Sequence, residues 1–222
     1  EGDGWDFGWN VGAQVHKGPW DFGLSYRSAI EHELDGDVNI VLTGPLAPNS
    51  VSTGGTASFN TPWFASASVR YAVNDKLTLN AQVNRIGWSE FDAITVEYTG
   101  GGDVIHQNYK DVTTGAIGLD YALSDKTTLR AGVGYDPTPT RDSLRTARIP
   151  DADRWLFSAG GSTEVTEGVT FDAGLTYIAF SDSDIYDDRT FYAGTPAAVT
   201  SHLRGTAEGS ALVASLGARW AF

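Results

Sequence analysis

Five arginines carry the clearest chemistry in this chain: Arg27, Arg70, Arg130, Arg154 and Arg219. A guanidinium presents a planar fork of donors that a carboxylate can accept bidentately. All five fall on the polar phase of segments in which apolar and polar residues alternate, so they could share one enclosed space. Each also has a plainer use, pairing with an acid of the same phase such as Asp6, Asp120, Asp172 or Glu164. Phe64 and Leu156 stand on that polar phase too, and an apolar residue on a polar face is the informative exception. They could line a path for an apolar molecule or simply fill space.

Other chemistries find little support. A nucleophile needs a base within hydrogen-bond reach. The four histidines fall in a turn (His16), near a strand end (His32) and in long connections (His106, His202), with no catalytic setting around any of them. The chain therefore reads as no enzyme. Asp182, Asp184, Asp187 and Asp188 offer oxygen ligands for Ca²⁺, but their spacing matches no EF-hand loop. A solvated acidic connection is the simpler reading, so no metal or cofactor is expected. The chain lacks cysteine, which removes disulfides and thiol chemistry. Its net charge of −13 argues against a nucleic-acid partner, since phosphate binding needs clustered Lys and Arg.

The elements that must position the arginines are strands. Trp5, Phe7, Trp9, Val11, Ala13 and Val15 alternate with Asp6, Gly8, Asn10, Gly12 and Gln14, and a period of two puts these sets on opposite faces. The same pattern recurs around Phe22–Tyr26, Trp63–Val73, Leu77–Trp88, Ile117–Leu123, Leu129–Tyr135, Trp155–Val165, Val169–Tyr177 and Leu216–Phe222. The phase slips at Asn84-Arg85, where a β-bulge is expected. Nine strands result, near the roughly 9–11 residues that cross a bilayer at a tilt. Their bulky aromatics sit on the apolar face while the other face is rich in Gly, Asn and Asp. That inversion favours lipid outside and a polar lumen. No stretch approaches the roughly 18 apolar residues of a membrane helix. The 222 residues thus read as a single all-β domain, an antiparallel up-and-down transmembrane β-barrel of the outer membrane.

The connections support this. Turns at His16-Lys17-Gly18-Pro19, Asn74-Asp75-Lys76, Ser124-Asp125-Lys126 and Thr166-Glu167-Gly168 are short. Those near 35–60, 97–111, 137–152 and 182–208 are long and polar. Short periplasmic turns and long extracellular loops are the habit of bacterial barrels. Both the first and the ninth strand then descend. An even strand count with periplasmic termini requires an odd number of strands before Glu1, so the sequence reads as the C-terminal portion of a barrel.

The ending Ser215-Leu216-Gly217-Ala218-Arg219-Trp220-Ala221-Phe222 resembles the signal read by the outer-membrane assembly machinery, with Phe222 as its last residue. A narrower resemblance spans nearly the whole chain. Gly2 to Gly12 is similar to the segment that opens the second half of FadL-type long-chain fatty acid transporters. Leu24-Ser25-Tyr26-Arg27-Ser28, Gly87-Trp88-Ser89 and Arg148-Ile149-Pro150-Asp151-Ala152-Asp153-Arg154-Trp155 follow in order. The resemblance implies a 14-stranded barrel plugged by an N-terminal hatch, of which this chain holds the last nine strands and lacks the hatch and first strands. It implies uptake of long-chain fatty acids, or of aromatic hydrocarbons, from an extracellular groove to an interior site and out sideways through the wall. Arg154, which closes the fourth motif, becomes the first candidate for the carboxylate, ahead of Arg27, Arg70 and Arg130. Phe64 and Leu156 become the tail path. The expected partners are a hydrophobic small molecule, the bilayer and its lipopolysaccharide, and the assembly machinery. A passive pore or surface-binding barrel is the alternative.

Overall fold

A computed structural model describes residues 2–40, 51–192, 194 and 196–221. Phe222 lies outside the described residues, and so does its expected role in assembly.

The strands in chain order are β1 (Gly2–Asp3), β2 (Asn10–Lys17), β3 (Trp20–Arg27), β4 (Ile30–Ile40), β5 (Val51–Thr61), β6 (Phe64–Ala72), β7 (Leu77–Ile86), β8 (Ala93–Tyr98), β9 (Gly101–His106), β10 (Val112–Ser124), β11 (Thr127–Asp136), β12 (Arg154–Thr166), β13 (Val169–Phe180), β14 (Ser183–Phe191), β15 (Val199–Ala207) and β16 (Ser210–Trp220). Nine of them form one antiparallel meander in the order β2-β3-β6-β7-β10-β11-β12-β13-β16. These are the nine strands expected from the alternation. Each of their short turns has a local cause. Gly18 and Gly168 take positive φ, Asn74 Oδ1 accepts the amides of Lys76 and Leu77, and Ser124 Oγ accepts the Lys126 amide. Register shifts fall where strands meet turns, at Ala122/Ser124 and Glu164/Thr166.

Register carries the alternation across the sheet. One row runs Val15, Phe22, Val69, Ala81, Ile117, Val133, Phe157, Tyr177, Leu212. Partners stand on the same face, so an apolar surface nine strands wide results. No second layer of described residues covers it, and Leu24, Ile117 and Leu212 are each at least 64% exposed. Aromatics gather at both ends, with Trp20 on Tyr71 (4.2 Å) near the short turns and Trp9 on Tyr26 (5.1 Å) and Tyr135 on Trp155 (4.9 Å) near the long connections. That is the girdled band of a membrane barrel. The meander ends on β2 and β16, which do not pair with each other.

Three expectations need correction. The first strand begins at Asn10 rather than Trp5, because β4 occupies the neighbouring position: Gly2 and Asp3 pair with β4, and Asp6 Oδ1 accepts the Glu33 amide at 3.3 Å. No bulge interrupts β7, which keeps regular register on both sides through Ile86. Arg85 therefore stands on the apolar face and Ile86 on the polar one. Finally, three long connections are not open loops. β4 and β5 join β1, β8 and β9 in a five-stranded sheet, and β14 pairs with β15. The sheet is possible because Ile30, Leu34 and Val38 alternate with Glu31, Glu33, Asp35 and Asp37, leaving one apolar and one acidic face.

Candidate functional site

The polar face of the meander has two zones. Near the short turns lies a belt with a polar side chain from each strand. His16 Nδ1 meets Asp21 Oδ1 at 2.6 Å. Asp120 accepts Asn80 Nδ2 at 2.9 Å and Arg130 Nε at 3.1 Å, with Arg70 at 4.0 Å. Arg130 also donates to Ser162 Oγ at 2.6 Å, and Ser162 donates to Asp172. Asp172 then accepts Arg219 Nε at 3.1 Å. Neighbours alternate in sign because the register sets Arg130 directly opposite Asp120. Exposed pairs of this kind add little stability, about 0–1 kcal/mol each. What they do is neutralise Arg70, Arg130 and Arg219 and make the lower lumen strongly polar.

Towards the long connections the same face turns apolar. Phe64, Ile86 and Val112 are successive register partners on β6, β7 and β10. Leu156 opposes Ile178 on β13, and Phe180 follows two residues on. Phe64 and Leu156 thus lie in two apolar patches, one on each side of Gly134 and Ala116. The expectation identified one member of each patch and missed Ile86, Val112, Ile178 and Phe180. Their signal was available as apolar residues on the polar phase. Val112, at 3% exposure, is the most deeply covered apolar side chain of the described residues.

Arg27 closes β3 opposite Phe64. It has no ion pair or side-chain hydrogen bond among the described residues. Arg154 differs. Its Nε bonds Asp136 Oδ2 at 2.8 Å, its Nη1 reaches Asp151 Oδ1 at 3.3 Å, and its guanidinium lies over Phe180 at 5.8 Å. Asp136 faces Arg154 across β11 and β12, a partner that sequence alone does not reveal. Of the four arginine candidates, Arg27 alone has no acidic partner among the described residues.

Residues 137–153 fold into a knot over this end. Asp153 accepts the Tyr135 hydroxyl at 2.6 Å and the Thr138 amide at 2.8 Å. Burial raises its pKa, but these two bonds together with the nearby Lys110 and Arg145 charges outweigh burial and hold it below the usual carboxylate value. Arg145, 4% exposed, bonds the Asp151 and Asp184 carbonyls at 2.8 and 3.0 Å, tying the knot to β14. The run Arg148 to Asp153 thus supplies anchors more than ligands. Ring contacts then lead outward along the extension, Tyr109 to Phe91 (5.8 Å), Phe91 to Phe59 (6.3 Å) and Phe59 to His32 (4.8 Å). Gly87 serves the wall itself, since a Cβ there would fall inside the Trp63 indole.

No cluster of acids or histidines suited to a metal occurs among the described residues. Asp187 pairs with Arg189, and Asp188 with Arg204 and His202.

The family described as outer membrane protein transport protein (OMPP1/FadL/TodX) matches residues 1–222. The chain belongs to the FadL family. Its FadL relatives include the long-chain fatty acid transport protein of Escherichia coli strain K12, 26% identical over a 189-residue alignment that covers 80% of this chain and 42% of that protein. Outer membrane protein P1 of Haemophilus influenzae is 29% identical over 208 residues, 89% of this chain and 44% of its own. Among solved structures, a FadL homologue of Pseudomonas aeruginosa superposes with a TM-score of 0.83 at 26% identity, covering 96% of this chain and 52% of that one. The monoaromatic hydrocarbon channel CymD superposes at 0.64 with 19% identity, covering all of this chain and 52% of its own, and shares the fold. The chain spans less than half the length of the Escherichia coli and Haemophilus influenzae relatives it matches. Family and fold place it in the bacterial outer membrane, with the apolar face to lipid and the polar face to the lumen.

Proposed function

We propose that this chain is the C-terminal wall of a 14-stranded barrel that takes hydrophobic molecules, chiefly long-chain fatty acids, across the outer membrane. The observation that carries the reading is the zoning of the lumen face. The apolar patch around Phe64 lies beside Arg27, which is unpaired among the described residues, and a second patch lies around Leu156 further along the wall, both above a belt of paired charges. Arg27 receives the carboxylate and the patches receive the tail. Arg70, Arg130 and Arg154 hold the wall together through Asp120, Asp136 and Asp151. The aromatic contacts from His32 to Tyr109 give apolar cargo a path to the mouth. The polar belt gives it no reason to continue straight down, because apolar surface gains only where it leaves water. Departure through the wall, in the part of the barrel supplied by the rest of the protein, fits that obstacle.

The short turns face the periplasm and the extensions face the outside. The reading is non-enzymatic, supported by relatives that are named as transport proteins. Tritiated oleate binding to the full-length protein tests the assignment. Arg27→Ala weakens oleate binding and leaves a neutral alkane unaffected. Unchanged oleate affinity would remove Arg27 from the site.

A further inference from the structure

The lipid-facing surface carries a charged residue that neither the turns nor the lumen explain. Arg85 stands opposite Ala65 on β6 and Thr113 on β10, both on the apolar phase. Lys17, another cation of that phase, closes β2 at a short turn. Arg85 lies at the opposite end of the wall, one residue before the end of β7 and level with Tyr26. Its Nη1 donates to Thr113 Oγ1 at 3.0 Å and its Nη2 to Asp111 Oδ2 at 3.4 Å. Asp111 is held mainly by Ser89, whose hydroxyl and amide donate to Oδ1 at 2.7 and 3.0 Å. These bonds keep its carboxyl below the usual range. A guanidinium has five N–H donors in a fork, so Arg85, 47% exposed, retains donors beyond those given to Thr113 and Asp111.

Beside it the wall is hollowed. Ala65, Ala67 and Val83 form the floor of a groove of about 430 Å³ flanked by Tyr26 and Leu24, with Arg85 at its extracellular end. The groove continues past Ala67 and Val83 into a second hollow along Ala81 and Ile117. Small residues at these register positions are what lower the surface between bulkier neighbours.

We infer that Arg85 and this groove bind a phosphorylated lipid of the outer leaflet, the acyl chain in the groove and the phosphate on the guanidinium. An arginine fork matches phosphate geometry bidentately, and Arg85 sits at the rim where headgroups lie. A neutral hydrocarbon would leave the remaining donors of the guanidinium unanswered, and a free phosphate would leave the groove empty. The inference rests on the assignment of the two faces and not on the transport reading, because Arg85 and Arg27 lie on opposite sides of the wall.

Native mass spectrometry of the full-length protein, extracted in mild detergent and offered bis-phosphorylated lipid A or its dephosphorylated form, tests this. The parent retains the phosphorylated lipid at least tenfold better than Arg85→Gln does. Arg85→Lys keeps part of that retention, and oleate binding is the same in all three. Equal retention by parent and Arg85→Gln overturns the site, and so does equal retention of the two lipids by the parent. Ala67→Trp fills the groove and leaves the guanidinium in place, so it provides a second variant if Arg85→Gln does not fold. Parent-like retention in Ala67→Trp also overturns the site. Inorganic phosphate in tenfold excess leaves the lipid bound, whereas its displacement would show a bare anion contact and overturn the lipid assignment.

Discussion

Removing the guanidinium from Arg27 and from Arg154 should give opposite phenotypes. Arg27 has no acidic partner among the described residues, so Arg27→Ala uncovers no buried charge and costs the wall little. The charge-assisted bond it offers a carboxylate is worth roughly 1.5–3 kcal/mol, which is about a 10- to 150-fold loss of fatty acid affinity. Arg154→Ala removes bonds of 2.8 and 3.3 Å and strands Asp136 and Asp151, which are about a quarter exposed. Two such pairs are worth roughly 0.5–1 kcal/mol each, near the top of the range for exposed pairs. Arg154→Ala should therefore lower the urea midpoint of refolded full-length protein in bilayers, with fatty acid affinity reduced less than threefold. Binding is read with oleate and with a neutral alkane of equal length, the alkane isolating any damage to the apolar path. If Arg154→Ala abolishes oleate binding at unchanged stability and Arg27→Ala does not, the roles are reversed and the ion pairs at Arg154 have been misjudged.

Leu175, midway along β13, should lose roughly 2–4 kcal/mol on replacement by arginine, while Thr176→Arg on the lumen face loses far less; equal losses in a refolding titration would refute the facing assignment. Gly87→Ala should destabilise by about 1–3 kcal/mol through overpacking against Trp63, visible as red-shifted tryptophan emission, and an unshifted spectrum with parent stability would contradict it. The Arg204 and His202 bonds hold the Asp188 carboxyl well below the usual carboxylate range. A depressed pKa gives stability that is complete above the unfolded value and is lost as pH falls towards the folded one. The β14–β15 hairpin should thus keep its 190-to-200 spin-label distance from pH 7 down to about pH 4 and broaden only in stronger acid, and broadening near pH 6 would rule Asp188 out as the cause.

The membrane-spanning strands were legible because period-two alternation survives in every one of them. The interior was less so. Reading a slip at Asn84-Arg85 placed Ile86 on the lipid side, and that single error hid the patch it shares with Phe64 and Val112. The acids around Glu31 to Asp37 masked the apolar alternation of Ile30, Leu34 and Val38, so a five-stranded extension passed for a loop. Which arginine is free depends on register between strands distant in sequence. Arg130 could be matched with Asp120 by phase, but the partner of Arg154 is Asp136, at the very end of β11, and only the β11–β12 register brings the two together.

The claim on which the rest depends is that the two faces of the nine-stranded wall meet lipid and lumen. Spin labels at cysteines replacing Ala173, Leu175 and Tyr177, then Gly174, Thr176 and Ile178, in full-length protein in bilayers test it most directly. The first set should relax with dissolved oxygen and the second with a water-soluble nickel chelate. Ile178 is decisive, because it is apolar yet assigned to the lumen. A label there that responds to oxygen alone, or a loss of alternation along β13, would contradict the account.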